Sequence, residues 1–331
     1  MYFKLLICVT LFIPFGSFCQ AQTGSWVLRL SEDNDFINIA FSGTDKAYTH
    51  GFRADLLYTK RNGAPGFDER LTLKAGNKSI DTFGWSIVQT MITPNNLSNP
   101  AIEATDYRYA CSINLLRTRH SSNPIRKYNL QTEYNVGIMG PIALGKETQS
   151  TIHKLINDEI PRGWNTQLKT SVLLNVNLTG EKQLVAVAKS IDYIGGIKSF
   201  IGTSLTALSV YTSLRIGKMN PYFGGYLPQY LSQGGESWQL YGHLCPSLDI
   251  VFRNAHLQGG MFRPEYTIVN NNGMATTEPP RKINSVGYNL SYGIVLTAKK
   301  LCITFTQRDL YPMIKKQGRH QVGNISIYIT L

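Results

Sequence analysis

From residue 128 to 138 the chain alternates. Tyr128, Leu130, Thr132, Tyr134, Val136 and Ile138 fall on one face, and Asn129, Gln131, Glu133, Asn135 and Gly137 on the other. A period of two is the mark of a strand, because neighbouring side chains point to opposite faces. The pattern recurs. Leu168, Val172, Leu174, Val176 and Leu178 oppose Gln167, Lys169, Ser171, Asn175 and Asn177. Val286, Tyr288, Leu290, Tyr292, Ile294 and Leu296 oppose Gly287, Asn289, Ser291 and Gly293. At the C-terminus Ile325, Ile327, Ile329 and Leu331 oppose Ser326, Tyr328 and Thr330.

About twelve such segments are predicted, each on the order of ten residues, the length a tilted membrane strand needs. They start near Ser25, Tyr48, Thr82, Tyr107, Tyr128, Thr166, Leu184, Thr203, Trp238, Asn284, Leu301 and Gln321. A sandwich also alternates, but its polar faces meet water and usually crowd Lys and Glu there. Here those faces hold Asn, Gln, Ser, Thr and Gly with sparse charge, which suits a narrow hydrated lumen. The expected fold is all-β: a transmembrane antiparallel β-barrel of about 12 strands with a short helix in an extracellular loop, both termini in the periplasm.

The connections then alternate sides. Residues 31–47, 93–105 and 140–165 fall on the outer side, 59–81 and 218–237 on the periplasmic side. The helix is expected at Lys146 to Asn157, with Ile152, Leu155 and Ile156 as its apolar face and Gln149 and His153 one turn apart. Folded over the barrel mouth, it would hold His153 above the lumen.

Residues 1–21 read as a signal peptide: a charge at Lys4, an apolar run from Leu5 to Phe15, and a small-residue cleavage site at Cys19-Gln20-Ala21. The run is too short to span a bilayer as a helix. Residues 22–331 are expected to form one barrel with its site at the extracellular mouth. Cys111, Cys245 and Cys302 remain after cleavage, an odd number with no zinc spacing, and read as single buried or lipid-facing thiols.

Composition adds little to the fold and more to the partners. Charged residues make up 16% and aromatics 11%, with 18 tyrosines and a formal net charge of +12. Mean hydropathy is −0.14, which excludes a helical membrane protein. Lys46, Arg108, Lys146, Lys154 and Arg162 lie near the outer loops, where they would hold phosphates electrostatically. Export and barrel patterning leave no continuous basic stripe for nucleic acid.

The candidate chemistry is an Asn34-Asp35 pair, then Thr49, then Gln149 and His153. Each alone has a plain structural reading: Asn-Asp after a strand forms turns, Thr49 is a wall hydroxyl, and a lone His on a short helix is more often packed than catalytic.

Together the blocks resemble the lipid A 3′-O-deacylase family of outer-membrane β-barrels. Asn34-Asp35 resembles its Asn-Asp at the end of the first strand. Asp45-Lys46-Ala47-Tyr48-Thr49-His50-Gly51 resembles its D-x-x-Y-T-x-G element. Gln89 to Pro94 resembles Gln-x-x-Tyr-(Ser/Thr)-Pro, with Ile92 in place of Tyr. Asp106 to Ala110 resembles D-R-x-(Y/F)-(A/S). Gly137 to Pro141, Gly145, Gln149 and His153 resemble the family's helix loop, and Trp164 and Gln167 also fit. The match runs over about residues 26–170, the remainder matching only as strands.

The resemblance implies calcium-dependent hydrolysis of the 3′ acyloxyacyl ester of lipid A. His153 is then the catalytic histidine and Asp35 the essential aspartate, with Asn34, Thr49 and Gln149 lining the site. Asp35, Asn34 and Glu159 are the expected Ca2+ ligands, and Gln89, Arg108 and Lys146 the expected substrate contacts. Lipopolysaccharide and outer-membrane lipids are the implied partners of a monomer in a Gram-negative outer membrane. Asn99 stands where a member can carry a basic residue, Cys111 replaces a small residue, and His50 is an added titratable group.

The residues themselves accommodate that chemistry. There is no G-x-S-x-G elbow, so a water activated by His153 is the simplest nucleophile. Asp35 with Asn34 offers hard oxygen ligands. Gln149 would fix substrate or water, and Thr49 is the alternative nucleophile or an orienting hydroxyl. Alternation groups Thr49 with inward Gly51, Arg53 and Asp55. It also puts Asp35 on the lumen face of the first strand and turns Asn34 away unless the strand bulges there. A phospholipid acyl hydrolase and an inactive porin-like barrel are the other readings.

Overall fold

The computed structural model describes residues 23–39, 47–60, 66–99, 103, 105–231, 238–262, 266–269, 275–278 and 280–331. The signal peptide and Lys46 lie outside them.

Alternating segments become β1 (Thr23–Asn34), β2 (Ala47–Lys60), β3 (Ile80–Thr93), β4 (Ala110–Asn123), β5 (Tyr128–Met139), β6 (Ser171–Val187), β7 (Ile191–Gly202), β8 (Leu205–Lys218) and β9 (Trp238–Asn254). A small hairpin follows, β10 (Tyr266–Val269) and β11 (Ala275–Glu278), then β12 (Val286–Ala298), β13 (Leu301–Leu310) and β14 (His320–Thr330). All except β10 and β11 join in one closed antiparallel barrel, each beside its neighbour in sequence. β1 closes on β14 from Val27↔Thr330 to Asn34↔Gly323, so the barrel has no edge strand. Among the described residues three short α-helices accompany the strands: α1 (Phe67–Arg70), α2 (Gly145–Ile156) and α3 (Ala255–Gln258).

The predicted strand starts shift by a few residues, most at β7. Expected to start near Leu184, it starts at Ile191, and residues 184–187 are the last of β6, which runs 17 residues. A register shift between Gln183 and Val185 breaks the alternation there and imitates a strand boundary.

The lumen is polar and cross-linked. Asp55 bridges Arg29 (2.6 Å) and Arg53 (2.8 Å), and Arg53 reaches Glu133 (3.1 Å). Arg308 meets Asp33 at 2.8 Å and Arg215 meets Asp192 at 3.2 Å. A cavity of about 740 Å3 remains between these pairs. Residues 219–231 close its periplasmic end: Met219, Leu227 and Leu231 pack on Val27, Leu57 and Val295, and Tyr226 stacks on His120 at 3.9 Å. Outward positions are apolar, as at Ile87, Leu115, Val136, Leu174, Ile294 and Leu296. That is the belt a bilayer requires.

Alternation also fixes the faces of the β3 and β4 residues near the outer rim. Asp55, Ser86, Val88 and Asn114 point inward, so Gln89, Met91 and Thr93 on β3 and Cys111 on β4 point outward. Two different packing clusters follow. Inside, Ala255 and Leu257 of α3 pack on Ile92, Ala110, Met139 and Leu173. Outside, Ala143 and Trp164 pack on Met91, Tyr109 and Cys111. The lid on the lumen is therefore α3. The helix α2, expected over the mouth, lies against the outer surface of the wall instead. The cause is local. At Gly140 (φ 108) the chain turns away from the barrel, where a Cβ would sit 2.7 Å from the Thr170 backbone.

Candidate functional site

The helix α2 presents an unusual face to the wall. Gly145, Gln149 and His153, spaced by four, are its buried residues. Ile152, Leu155 and Ile156 are 36%, 71% and 39% exposed and face away. A helix covering a soluble core would turn its apolar stripe inward. Here the polar stripe meets the wall and the apolar stripe is left for lipid.

Several contacts hold this arrangement. Gln89 donates its amide to the Ala143 carbonyl at 2.7 Å and to Thr148 Oγ1 at 3.3 Å, and the Cys111 thiol donates to Ala143 O at 3.4 Å. A Cβ at Gly145 would lie 2.5 Å from Cys111 Cβ and 2.5 Å from the Trp164 ring, so only glycine permits so close an approach. Trp164 is 1% exposed, donates Nε1–H to Gln149 Oε1 at 2.8 Å, and packs on Tyr109 with ring centroids 4.8 Å apart. Such an aromatic pair adds about 0.5–1.5 kcal/mol beyond burial. The Gln149 Nε2 group is buried and has no hydrogen-bond partner among the described residues.

His153 is 4% exposed. The helix ends at Asn157 in the left-handed region (φ 60), which asparagine tolerates. The chain then folds back, and His153 Nδ1 lies 2.5 Å from the Glu159 carbonyl oxygen. A carbonyl only accepts, so Nδ1 carries a proton, and in the neutral ring the lone pair is on Nε2. Glu159, expected as a cation ligand, thus engages the histidine through its backbone; its side chain is exposed.

The other predicted residues lie at the same rim. Asn34 pairs across to His50 on one side and Gly323 on the other, so β1 stays in register from Trp26 to its outer end. Asn34 therefore faces outward, the same side as α2. Its Oδ1 accepts the Phe36 N–H at 2.8 Å in an Asx turn and retains a second lone pair. Asp35 follows, fully buried, with its carbonyl accepting from Asn38 Nδ2. Residues 35–39 fold back over the outside of β13 and β14: Ile39 N–H reaches Gln307 Oε1 at 3.0 Å, and the Ile37 carbonyl presses on Gly323.

The bulge is on β2. Tyr48 pairs with Ile92 and His50 with Met91, leaving Thr49 without a partner. Tyr48 then points inward, its hydroxyl donating to Asp33 at 2.8 Å. Thr49 points outward, against the expected inward placement, with its Oγ1 2.5 Å from that of Thr93. His50, outward as alternation predicts, has Nδ1 2.6 Å from Glu32 Oε1. Sequence reading missed this inversion of Tyr48 and Thr49, since a bulge leaves no mark in a residue string.

The site is thus a groove on the lipid side of the wall. Asn34, Thr49 and His50 form its floor on β1 and β2. Residues 35–39 flank it over β13 and β14, and the start of α2 flanks it over β3 and β4. Of the expected substrate contacts, Gln89 holds α2 to the wall, Lys146 is exposed on the first turn of α2, and Arg108 is 1% exposed within the rim. No three His, Cys, Asp or Glu side chains converge as a metal cluster among the described residues. The donors that fit a hard cation are oxygens: the buried Asp35 carboxylate and the free lone pair of Asn34.

The solved structure of LpxR from Salmonella typhimurium shares this fold, with a TM-score of 0.71 at 16% identity over 92% of this chain and all of that one. The β domain of the Bordetella autotransporter BrkA matches more loosely, with a TM-score of 0.43 at 7% identity over 93% of this chain and 99% of that one. No curated protein sequence matches the chain. The family model described as "Outer membrane protein LpxR" matches residues 5–331. With a barrel closed on itself, an apolar belt and a family match over nearly its whole length, this chain belongs to the LpxR family of outer membrane proteins.

Proposed function

We propose that this protein is a lipid A 3′-O-deacylase that hydrolyses the 3′ acyloxyacyl ester with calcium, through a water activated by His153. One observation carries the reading: a buried imidazole with a defined tautomer lies in the outer-leaflet zone, on the lipid side of the wall, on a helix whose apolar face is turned to the acyl chains. A soluble substrate would need no such placement; an ester within a lipid does.

Reach is adequate. From Gly145 to His153 the helix advances about 12 Å, and three strand spacings from β4 to β1 come to about 14 Å. His153 Nε2 takes a proton from water as the water attacks the ester carbonyl, then returns it to the leaving alcohol. The Glu159 carbonyl keeps the ring oriented during both transfers. Gln149, held by Trp164, has a spare amide N–H to donate to substrate oxygen. Asp35 and Asn34 would hold the cation, which when bound supplies Lewis-acid polarisation of the carbonyl. Lys146, Lys154 and Arg162, all exposed, suit the phosphates of the headgroup.

The test is the mass of lipid A from cells making the wild-type protein, His153→Ala or Asp35→Ala, with and without a calcium chelator. Loss of one acyloxyacyl unit with wild type only, abolished by chelation, supports the reading. Unchanged lipid A with released lysophospholipid would assign the groove to glycerophospholipids instead.

A further inference from the structure

The segment joining β2 to β3 also lies on the outside of the wall, at the opposite rim. Arg119 faces outward on β4 and donates Nη1 to the Glu69 carbonyl and to Thr72 Oγ1, both at 3.0 Å. Ser121 Oγ accepts the Ala75 N–H at 2.8 Å, and Asn123 Nδ2 donates to the Ala75 carbonyl at 2.7 Å. From β5, Thr132 Oγ1 accepts the Leu73 N–H at 3.0 Å, and the Tyr134 hydroxyl donates to the Leu71 carbonyl at 2.7 Å. Residues 66–79 are thus a strap fastened across β4 and β5.

The free side of the strap combines two chemistries. Phe67 is 80% exposed, Leu71 60% and Leu73 41%. Arg70, Lys74 and Lys78 are exposed among them. The strap's acids are Asp68 and Glu69, and Glu69 is buried against Lys60. Nearby Asp81 is neutralised by Arg119 at 2.7 Å. Even with Asp68 counted, the strap's basic residues outnumber its acids three to two, and they stand among exposed apolar side chains. This surface is also continuous with the lipid-facing belt, where Trp85 is 47% exposed and Arg117 lies 5.1 Å over its ring. Large apolar side chains on so short a segment are unfavourable in water and favourable in an interface. Both termini share this rim, so it meets the inner leaflet.

We propose that residues 66–79 form a binding site for an anionic glycerophospholipid of the inner leaflet. Phe67 and Leu71 enter between the acyl chains, and Arg70, Lys74 and Lys78 hold the phosphodiester. The site is separate from the groove under α2 and does not depend on the hydrolytic reading.

The full chain is reconstituted into vesicles of phosphatidylethanolamine and phosphatidylglycerol, extracted in mild detergent, and its retained lipids counted by native mass spectrometry. Wild type retains phosphatidylglycerol in preference to phosphatidylethanolamine. Arg70→Gln, Lys74→Gln and Lys78→Gln combined lose that preference, by roughly five-fold for each charge removed. Phe67→Ser with Leu71→Ser lowers retention of both lipids. Heat-dependent gel mobility shows that each variant still forms the barrel, and a variant that fails it is replaced by the single substitutions. Equal retention of the two lipids by wild type, or unchanged retention in the triple variant, overturns the proposal. So does co-sedimentation with cell-wall sacculi that the triple variant loses while its lipid retention stays unchanged.

Discussion

His153 Nδ1 and the carbonyl oxygen of Glu159 lie 2.5 Å apart, and this contact sets the tautomer of the imidazole. The contact is made possible by the left-handed Asn157, which turns the chain back beneath the last turn of α2. The proposed mechanism needs the lone pair of the neutral ring on Nε2, and this contact leaves it there. We expect His153→Gln to lower the deacylation rate by about 10²–10⁴-fold, the usual loss of a general base. Barrel stability should be nearly unchanged. A variant with near wild-type turnover would remove His153 from the chemistry.

Gly145 sets how closely α2 approaches the wall. Gly145→Ala places a methyl 2.5 Å from both Cys111 Cβ and the Trp164 ring. The helix must lift, and the Trp164 bond to Gln149 lengthens with it. Activity should fall about ten-fold or more, in keeping with the sensitivity of catalysis to small misplacements. Limited proteolysis should cut residues 145–165 faster than in wild type. Equal cleavage and activity would show that the helix is not seated as described.

Asp55 tests the separation of lumen and site. It is 1% exposed and bridges Arg29, Arg53 and Ser86. Asp55→Ala leaves two guanidiniums without their shared carboxylate, at a cost of about 3–5 kcal/mol. The melting temperature and refolding yield should drop. The fraction that folds should keep its activity per molecule, because the groove lies on the other face of the wall. A specific activity lost in parallel with stability would place the chemistry in the lumen.

His256 gives a pH dependence. It belongs to α3, the lid over the lumen, and its Nε2 lies 2.8 Å from Ser112 Oγ. Burial pushes its pKa down to about 4 from 6.5. The folded protein therefore holds this ring neutral where the unfolded chain would protonate it. Its contribution is complete above the unfolded value and is lost as pH falls from about 6.5 towards 4. At pH 5 the loss is about 2 kcal/mol. Melting curves of wild type and His256→Gln should converge as the pH falls from 7 to 5. Parallel curves would mean that the ring is not held neutral by the fold.

A period of two is a local property, so the chain on its own determined the strand pattern, the closed barrel and the in-or-out assignment of most positions, including Asn34 and His50. The i, i+4 spacing of Gln149 and His153 was equally plain, as was the apolar face of α2. Tertiary structure decided what those faces meet. Whether α2 folds inside or outside depends on one turn at Gly140, and on packing between Ala143, Trp164, Met91 and Cys111 that are distant in sequence. One bulged residue reversed Thr49 and Tyr48, because an extra residue shifts the register without altering composition. The groove exists only where six strands, a loop and a helix meet. Long-range contacts of that kind carry no periodicity, and only the folded chain reveals them.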